Sequence, residues 1–252
     1  MICKNCENSF NGKFCNNCGQ NSNVKRVDLQ YLLKEIPNSI FQVNRGIFFT
    51  IRELFTRPGN SIREFLEGKR KRHFKPLAFV LLVSTLYVLT AYFTDKYTFL
   101  GDAISGMADS LNKDETKFSI TAKILNWFGK NHSYTTLLVL PFFSLASYLV
   151  FIKSKYNYFE HLILNFYITG QQMVIYLIFT TLFFLFKIEG YFIDIIPFTI
   201  AILYLFWVFI KFFENGKILK KILLTMLTYI LYLTLIMFAV FFMTIIERVI
   251  KG

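Results

Sequence analysis

Apolar and polar positions follow two regimes along the chain. From Leu77 onward five long apolar stretches succeed one another: Leu77–Phe93, Tyr134–Ile152, Leu162–Phe186, Ile195–Phe213 and Ile222–Ile246. A hydrocarbon core of about 30 Å is spanned by roughly 20 helical residues at 1.5 Å each, so all five are predicted membrane helices. Leu77–Phe93 is the shortest and borrows length from Phe74 or Thr94. Lys211, the one charge inside these limits, stands near a helix end where it can snorkel. Between Val27 and Phe55 the pattern changes. Ile40, Phe41, Ile47, Phe48, Ile51, Leu54 and Phe55 recur at helical spacing, with Gln42, Arg45, Arg52 and Glu53 on other faces. This predicts an amphipathic helix, Ile40 to Phe55, separated by Pro37 from a shorter one that starts near Asp28. Its apolar face can lie on a membrane surface or pack on the bundle. Thr56-Arg57-Pro58-Gly59 ends it, and Ser61-x-x-Glu64 has the form of a capping box opening a short helix to Leu66. Between the first two spans, Ile120, Ile124, Leu125, Trp127 and Phe128 form a stripe that predicts a re-entrant or surface-lying helix, a linker being the alternative.

Composition agrees with the pattern. Of 252 residues 54% are hydrophobic and 19% aromatic, and the mean hydropathy is +0.45, more than a soluble domain of this size can bury. The charge is uneven. Residues 1–76 carry 14 Lys/Arg against 6 Asp/Glu, and residues 77–252 carry 14 against 10, which together give +12. The opening residues are polar and cysteine-rich, unlike a cleavable signal, so the first span is expected to direct insertion. Basic segments favour the cytoplasm. An N-terminus inside puts Lys153, Lys155, Lys217, Lys220 and Lys221, against Glu160 and Glu214, on the same side. It leaves Glu189 and Asp194, and a 94–133 loop with five Lys and five acids, outside. Five spans then place the C-terminus outside.

All four cysteines stand as Cys3-x2-Cys6 and Cys15-x2-Cys18. Each such turn aims two sulfurs at one point, and two turns supply the closed tetrahedral thiolate cage of structural zinc. Gly12 and Gly19 stand where tight turns need a permissive backbone. Disulfides or a redox pair are the alternatives, and a reducing compartment disfavours them. Next to the first span, Lys69, Arg70, Lys71, Arg72 and Lys75 surround His73. They orient that span, and they can also hold anionic headgroups at roughly 1 kcal/mol per residue. Nucleic acid is not expected, because the neighbouring aromatics belong to an apolar face.

The order Cys-x-x-Cys, Phe14-Cys15-x-x-Cys18-Gly19-Gln20, Thr56-Arg57-Pro58-Gly59, Ile62-Arg63-Glu64-Phe65-Leu66-Glu67-Gly68-Lys69-Arg70 and Phe74-Lys75-Pro76 resembles a bacterial family of uncharacterised multi-span membrane proteins with an N-terminal zinc ribbon, a domain of unknown function. The resemblance is strong over about residues 1–80. It implies a short cytoplasmic ribbon followed by membrane helices, and no activity. The expected architecture is an all-α integral membrane protein: a zinc ribbon over 1–24, an amphipathic and basic juxtamembrane region over 25–76, and a five-helix transmembrane bundle over 77–252.

Polar groups inside spans are expensive and point to function. Glu160, His161, Asn165 and Gln171 open the third span, with His161 and Asn165 four apart on one face. They are interfacial anchors, or a site for a headgroup or a proton. The resembled family often carries a second histidine where Asn165 stands. Gln171 and Gln172 are suited to joining helices through amide hydrogen bonds. The chain holds no His-Glu-x-x-His, Gly-x-Ser-x-Gly or P-loop motif. The expected function is therefore non-enzymatic: a zinc-ribbon docking platform for a cytoplasmic protein partner or anionic membrane lipids. A transporter or channel-like component for a small or lipid-like substrate is the alternative.

Overall fold

The computed structural model describes residues 1–34, 46–94, 99–111, 120–188, 190, 192–214 and 216–251. Pro37, Ile40, Phe41, Gln42, Arg45 and Glu189 lie outside them. Among the described residues the regular secondary structure is helical, with two isolated antiparallel bridges, Ile2 with Ser9 and Phe14 with Asn21, one flanking each cysteine turn. The helices are α1 (Ile47–Thr56), α2 (Pro58–Glu67), α3 (Pro76–Phe93), α4 (Phe99–Leu111), α5 (Ile120–Lys130), α6 (His132–Val150), α7 (Tyr158–Leu185), α8 (Phe192–Phe212) and α9 (Ile218–Lys251). A further helical stretch, 29–34, begins where Asp28 accepts a bond from the Tyr31 N–H.

Local signals place several boundaries. Pro58 and Pro76 each take the first helical position, where a missing N–H costs nothing. Gly68 ends α2 at φ +117°, and it and Lys69 both bond back to the Glu64 carbonyl. Asn157 and Glu160 close a reciprocal capping box on α7. The box expected at Ser61 and Glu64 does not form. Helix α2 already starts at Pro58, the Ser61 hydroxyl is spent on His73, and Glu64 is paired with Arg57. Helix α1 starts at Ile47, and its Leu54 and Thr50 are buried against the bundle while Phe48 stands 82% exposed.

Four helical stretches are long and apolar enough to cross a membrane: Pro76–Phe93, Tyr158–Leu185, Ile195–Phe212 and Ile218–Ile250. The described apolar part of α6, Leu137–Val150, is shorter. Helix α7 is the axis of the assembly and touches α3, α6, α8, α1 and α2. Its first half, Glu160 to Ile175, is buried almost all round, whereas Leu182, Phe184 and Leu185 are exposed. Helix α9 is its opposite. It turns Leu223, Leu227, Ile230, Leu233, Phe238 and many other apolar side chains outward, as suits a helix solvated by lipid.

Packing explains why α7 is enclosed. The Tyr167 ring meets Phe65 and Phe79 at 5.4 and 6.2 Å, and Gly170 admits Phe79 so closely that a Cβ there would lie 2.4 Å from its ring. The Tyr167 hydroxyl donates to the Phe74 carbonyl at 2.8 Å. Tyr167 is nine residues into α7, about 14 Å along its axis. The first two and a half turns of α7 therefore stand beyond the start of α3. Here α1, α2, the cysteine turns and the ends of α6 and α8 build a cap. We term it the basic end, since the 68–75, 151–157 and 213–217 connections lie there.

Candidate functional site

The four cysteine sulfurs lie within 4.8 Å of one another, with Cys3 and Cys18 at 3.5 Å and Cys6 and Cys15 at 3.6 Å. Zinc–thiolate bonds of about 2.3 Å in a tetrahedron put sulfurs about 3.8 Å apart, so the donor set and its spacing fit such an ion. The backbone prepares the site. Gly12 and Gly19 take φ of +120° and +70°, and the Gly19 N–H bonds the Cys15 carbonyl at 2.8 Å. The Cys18 N–H facing the Cys15 sulfur lowers that thiol to about 6, the direction that favours a thiolate ligand. Burial pushes Cys18 up to about 11. The core here is Cys3, Phe10 and Cys15, with Cys6 and Cys18 packed against it.

This small unit is stitched to the membrane helices. Gln20 is buried. Its Nε2 donates to the Gly68 carbonyl at 2.9 Å, and its Oε1 accepts from the Arg70 N–H at 3.2 Å. Asn5, inside the first turn, accepts from the Lys71 N–H at 3.3 Å. Further on, Arg26 clamps both oxygens of Glu160 at 2.8 and 2.7 Å and also donates to the Lys155 carbonyl. Val27 is fully buried, and its carbonyl accepts from Asn157. Glu160 is thus an ion-paired capping residue rather than an open interfacial anchor.

The basic run divides by role. Arg70 turns inward, donating to the Phe65 and Lys25 carbonyls and stacking 4.4 Å over the Tyr31 ring. The Lys71 side chain passes Gly19, and the Lys69 carbonyl accepts from His73 Nδ1 at 2.9 Å. Arg72 and Lys71 are exposed, Lys69 and Lys75 half-buried. His73 itself is buried between Phe49 and Phe65, with its Nε2 3.0 Å from the Ser61 hydroxyl. A carbonyl can only accept, so Nδ1 carries the proton and Ser61 donates to Nε2 in the neutral ring. Burial holds this imidazole below its ordinary pKa. On the neighbouring helix Arg57 grips Glu64 at 2.8 and 3.1 Å and keeps that carboxyl below the usual range.

His161 and Asn165 share a buried polar cluster with two serines of α6. His161 Nδ1 lies 3.0 Å from Ser147 Oγ, and Asn165 Nδ2 donates to Ser144 and Ser147 at 3.0 and 3.2 Å. His161 Nε2 and Asn165 Oδ1 are buried with no partner. Gln171 lies apart from this cluster, donating to the Ile51 carbonyl of α1 at 3.3 Å, while Gln172 donates to the Ala201 carbonyl of α8. Both amides join helices as their chemistry suggests. The residues that sequence reasoning passed over are Gln20, Arg26, Asn157, Ser144 and Ser147. Asn157-x-x-Glu160 was legible as a capping box. The serines sit three apart in an apolar helix, and nothing local marks them.

Residues 44–88 match the family described as "Protein of unknown function (DUF3667)". The match covers α1, α2, the basic connection and most of α3, which are the elements that enclose α7 at the basic end. No curated protein and no solved structure matches the chain.

Proposed function

We propose that this chain is a non-enzymatic protein of a bacterial inner membrane. Its cysteine ribbon holds one structural zinc and serves, with the basic end, as a cytoplasmic docking platform for a protein partner or anionic lipid. In this reading α3, α6, α7, α8 and α9 are five spans, the N-terminus faces the cytoplasm and the end of α9 faces outward. Cys3, Cys6, Cys15 and Cys18 would hold the ion. Four thiolates fill its coordination and leave no position for an activated water, so zinc would supply folding energy and not chemistry. The carrying observation is that the ribbon is fixed onto the bundle through Gln20 and Arg26 while Ile2 and Phe14 stay 73% and 61% exposed. Helix α1 likewise presents Phe48, Arg52 and Phe55 outward beside the exposed Arg72. Exposed apolar and cationic groups held at the basic end suit an anionic leaflet or an acidic partner surface.

Cross-linked capture from native membranes tests it, comparing the whole protein with one lacking residues 1–24. A partner recovered with the whole chain and lost with the shortened one is the expected result. Identical recovery by both overturns the ribbon's docking role. The transporter reading draws support from the unpaired buried atoms of His161 and Asn165. It requires that Asn165→Leu abolish flux in vesicles without loss of assembly.

A further inference from the structure

The cysteine turns do more than stand on the bundle, because they hold the same stretch of main chain from two sides. Asn5 lies between Cys3 and Cys6 and bonds the Lys71 N–H. Gln20 follows Cys18 by two residues and bonds Gly68 and Arg70. Gln20 can reach only because its own carbonyl is tied to the Cys15 N–H at 2.8 Å across the second turn. The chain then runs to Arg26 and Val27, which bond Glu160, Lys155 and Asn157 at the first turn of α7. The α2–α3 connection is therefore held by a unit whose own core is four cysteines and Phe10, and the head of α7 by the segment that leaves this unit, whose Val27 packs in the core of the bundle. A core of four cysteines and Phe10 buries too little apolar surface to persist without the ion that binds the sulfurs.

We propose that the ribbon is a metal-set latch: with its ion bound it closes the basic end over residues 68–71 and the head of α7, and with the ion removed it releases both. This rests on the zinc reading above. Unfolding the ribbon takes Gln20 from the Gly68 carbonyl and the Arg70 N–H, which keep their 3.0 Å bond to each other. It also leaves the segment that carries Arg26 anchored on one side only, at Val27, and so loosens Arg26 from Glu160, a carboxylate only 4% exposed. A buried carboxylate without its cation is costly, so the first turn of α7 opens to water. That turn carries His161, so the latch sets water access to the head of the polar cluster. Metal occupancy and the state of the cap are two linked equilibria, each biasing the other.

The test is hydrogen–deuterium exchange on the full chain in lipid nanodiscs, with zinc content measured on the same samples. The samples are as purified, stripped with a chelator, and reloaded with zinc alone. Stripping should raise exchange about tenfold or more in peptides over 64–75 and 155–165, reloading should reverse it, and peptides over 120–130 should not respond. A double variant, Gln20→Ala with Arg26→Ala, keeps all four cysteines. It should retain one zinc per chain yet exchange fast at both places, loaded or stripped. Zinc that comes and goes while exchange at 64–75 and 155–165 stays unchanged overturns the latch and leaves the zinc site standing. Wild-type protein purified reduced and without zinc overturns both.

Discussion

At the scale of single residues the basic end is governed by a few groups with one permitted arrangement. His73 is the clearest. Its neutral form donates to the Lys69 carbonyl and accepts from Ser61, and burial penalises the charged ring that protonation would create. Because the folded pKa lies below the unfolded value near 6.5, the unfolded chain binds the proton more readily. The stability this contributes is complete above about 6.5 and is lost as pH falls from there towards the folded value. The apparent melting temperature in nanodiscs should drop between about pH 7.5 and 5.5, and His73→Gln should flatten that drop. A wild-type drop that His73→Gln leaves intact assigns the slope to another group. Gly59 is fixed by contact rather than by charge. A Cβ there would meet the Lys211 main chain at 2.4 Å, where α2 and α8 touch backbone to backbone and Arg63 caps the Lys211 and Phe212 carbonyls. Gly59→Val should cost about 1–3 kcal/mol in unfolding measurements. Gly106→Ala, where nothing lies within 4 Å, should not destabilise. None of this was legible beforehand. Gly59 reads as a turn residue and His73 as one more member of a basic run, because Lys211 lies far along the chain from the first and Ser61 lies 12 positions before the second.

Among the elements, the apolar pattern located the long helices and most of the short ones, and missed α4. The apolar stretches from Leu77 onward reappear as α3, α6, α7, α8 and α9 with ends moved by a few residues, since a 20-residue apolar run has few other structures open to it. The stripe at Ile120 to Phe128 also forms its helix, α5, with Ala122 and Leu125 buried and Trp127 half exposed. Near Ser61 a local rule misled, because tertiary partners took both members of the expected box. Helix α5 shows a cap that no local rule can see. The Glu247 carboxylate near the end of α9 accepts from the Ile120 and Thr121 N–H groups at 2.7 and 2.9 Å and from the Thr121 hydroxyl at 2.7 Å. A carboxylate from 126 residues away thus satisfies the first turn of α5 and meets the positive end of its dipole. Glu247→Ala should cost about 0.5–2 kcal/mol locally, read as faster amide exchange confined to the first turn of α5. Unchanged exchange there would mean that water caps the turn equally well.

For the molecule as a whole, the same carboxylate bears on topology. It fixes the end of α9 beside α5, while the starts of α3, α7 and α9 and the ends of α6 and α8 gather at the basic end with the cysteine ribbon. The chain therefore sorts its connections onto two ends. One holds the basic run, Lys153, Lys155, Lys217 and Lys220; the other holds α4, α5 and Glu247. Loop charge and the reduced cysteines support the proposed orientation of this arrangement, since cytoplasmic connections are enriched in Lys and Arg. Geometry adds that the two ends differ in build: one is a cap of buried polar contacts around α7, the other a pair of short helices tied by one carboxylate. Single cysteines added at Ser110 and at Lys217, in a chain whose own four cysteines are serine, should label oppositely with a membrane-impermeant thiol reagent on intact cells. Ser110→Cys should react from outside, and Lys217→Cys should react only after the membrane is opened. Removing the ribbon's ligands leaves this readout valid, because the spans insert by their own hydropathy. Reaction of Lys217→Cys in intact cells would invert the molecule, put the cysteine ribbon in an oxidising compartment, and replace the proposed zinc site by disulfides between the sulfurs now 3.5 and 3.6 Å apart.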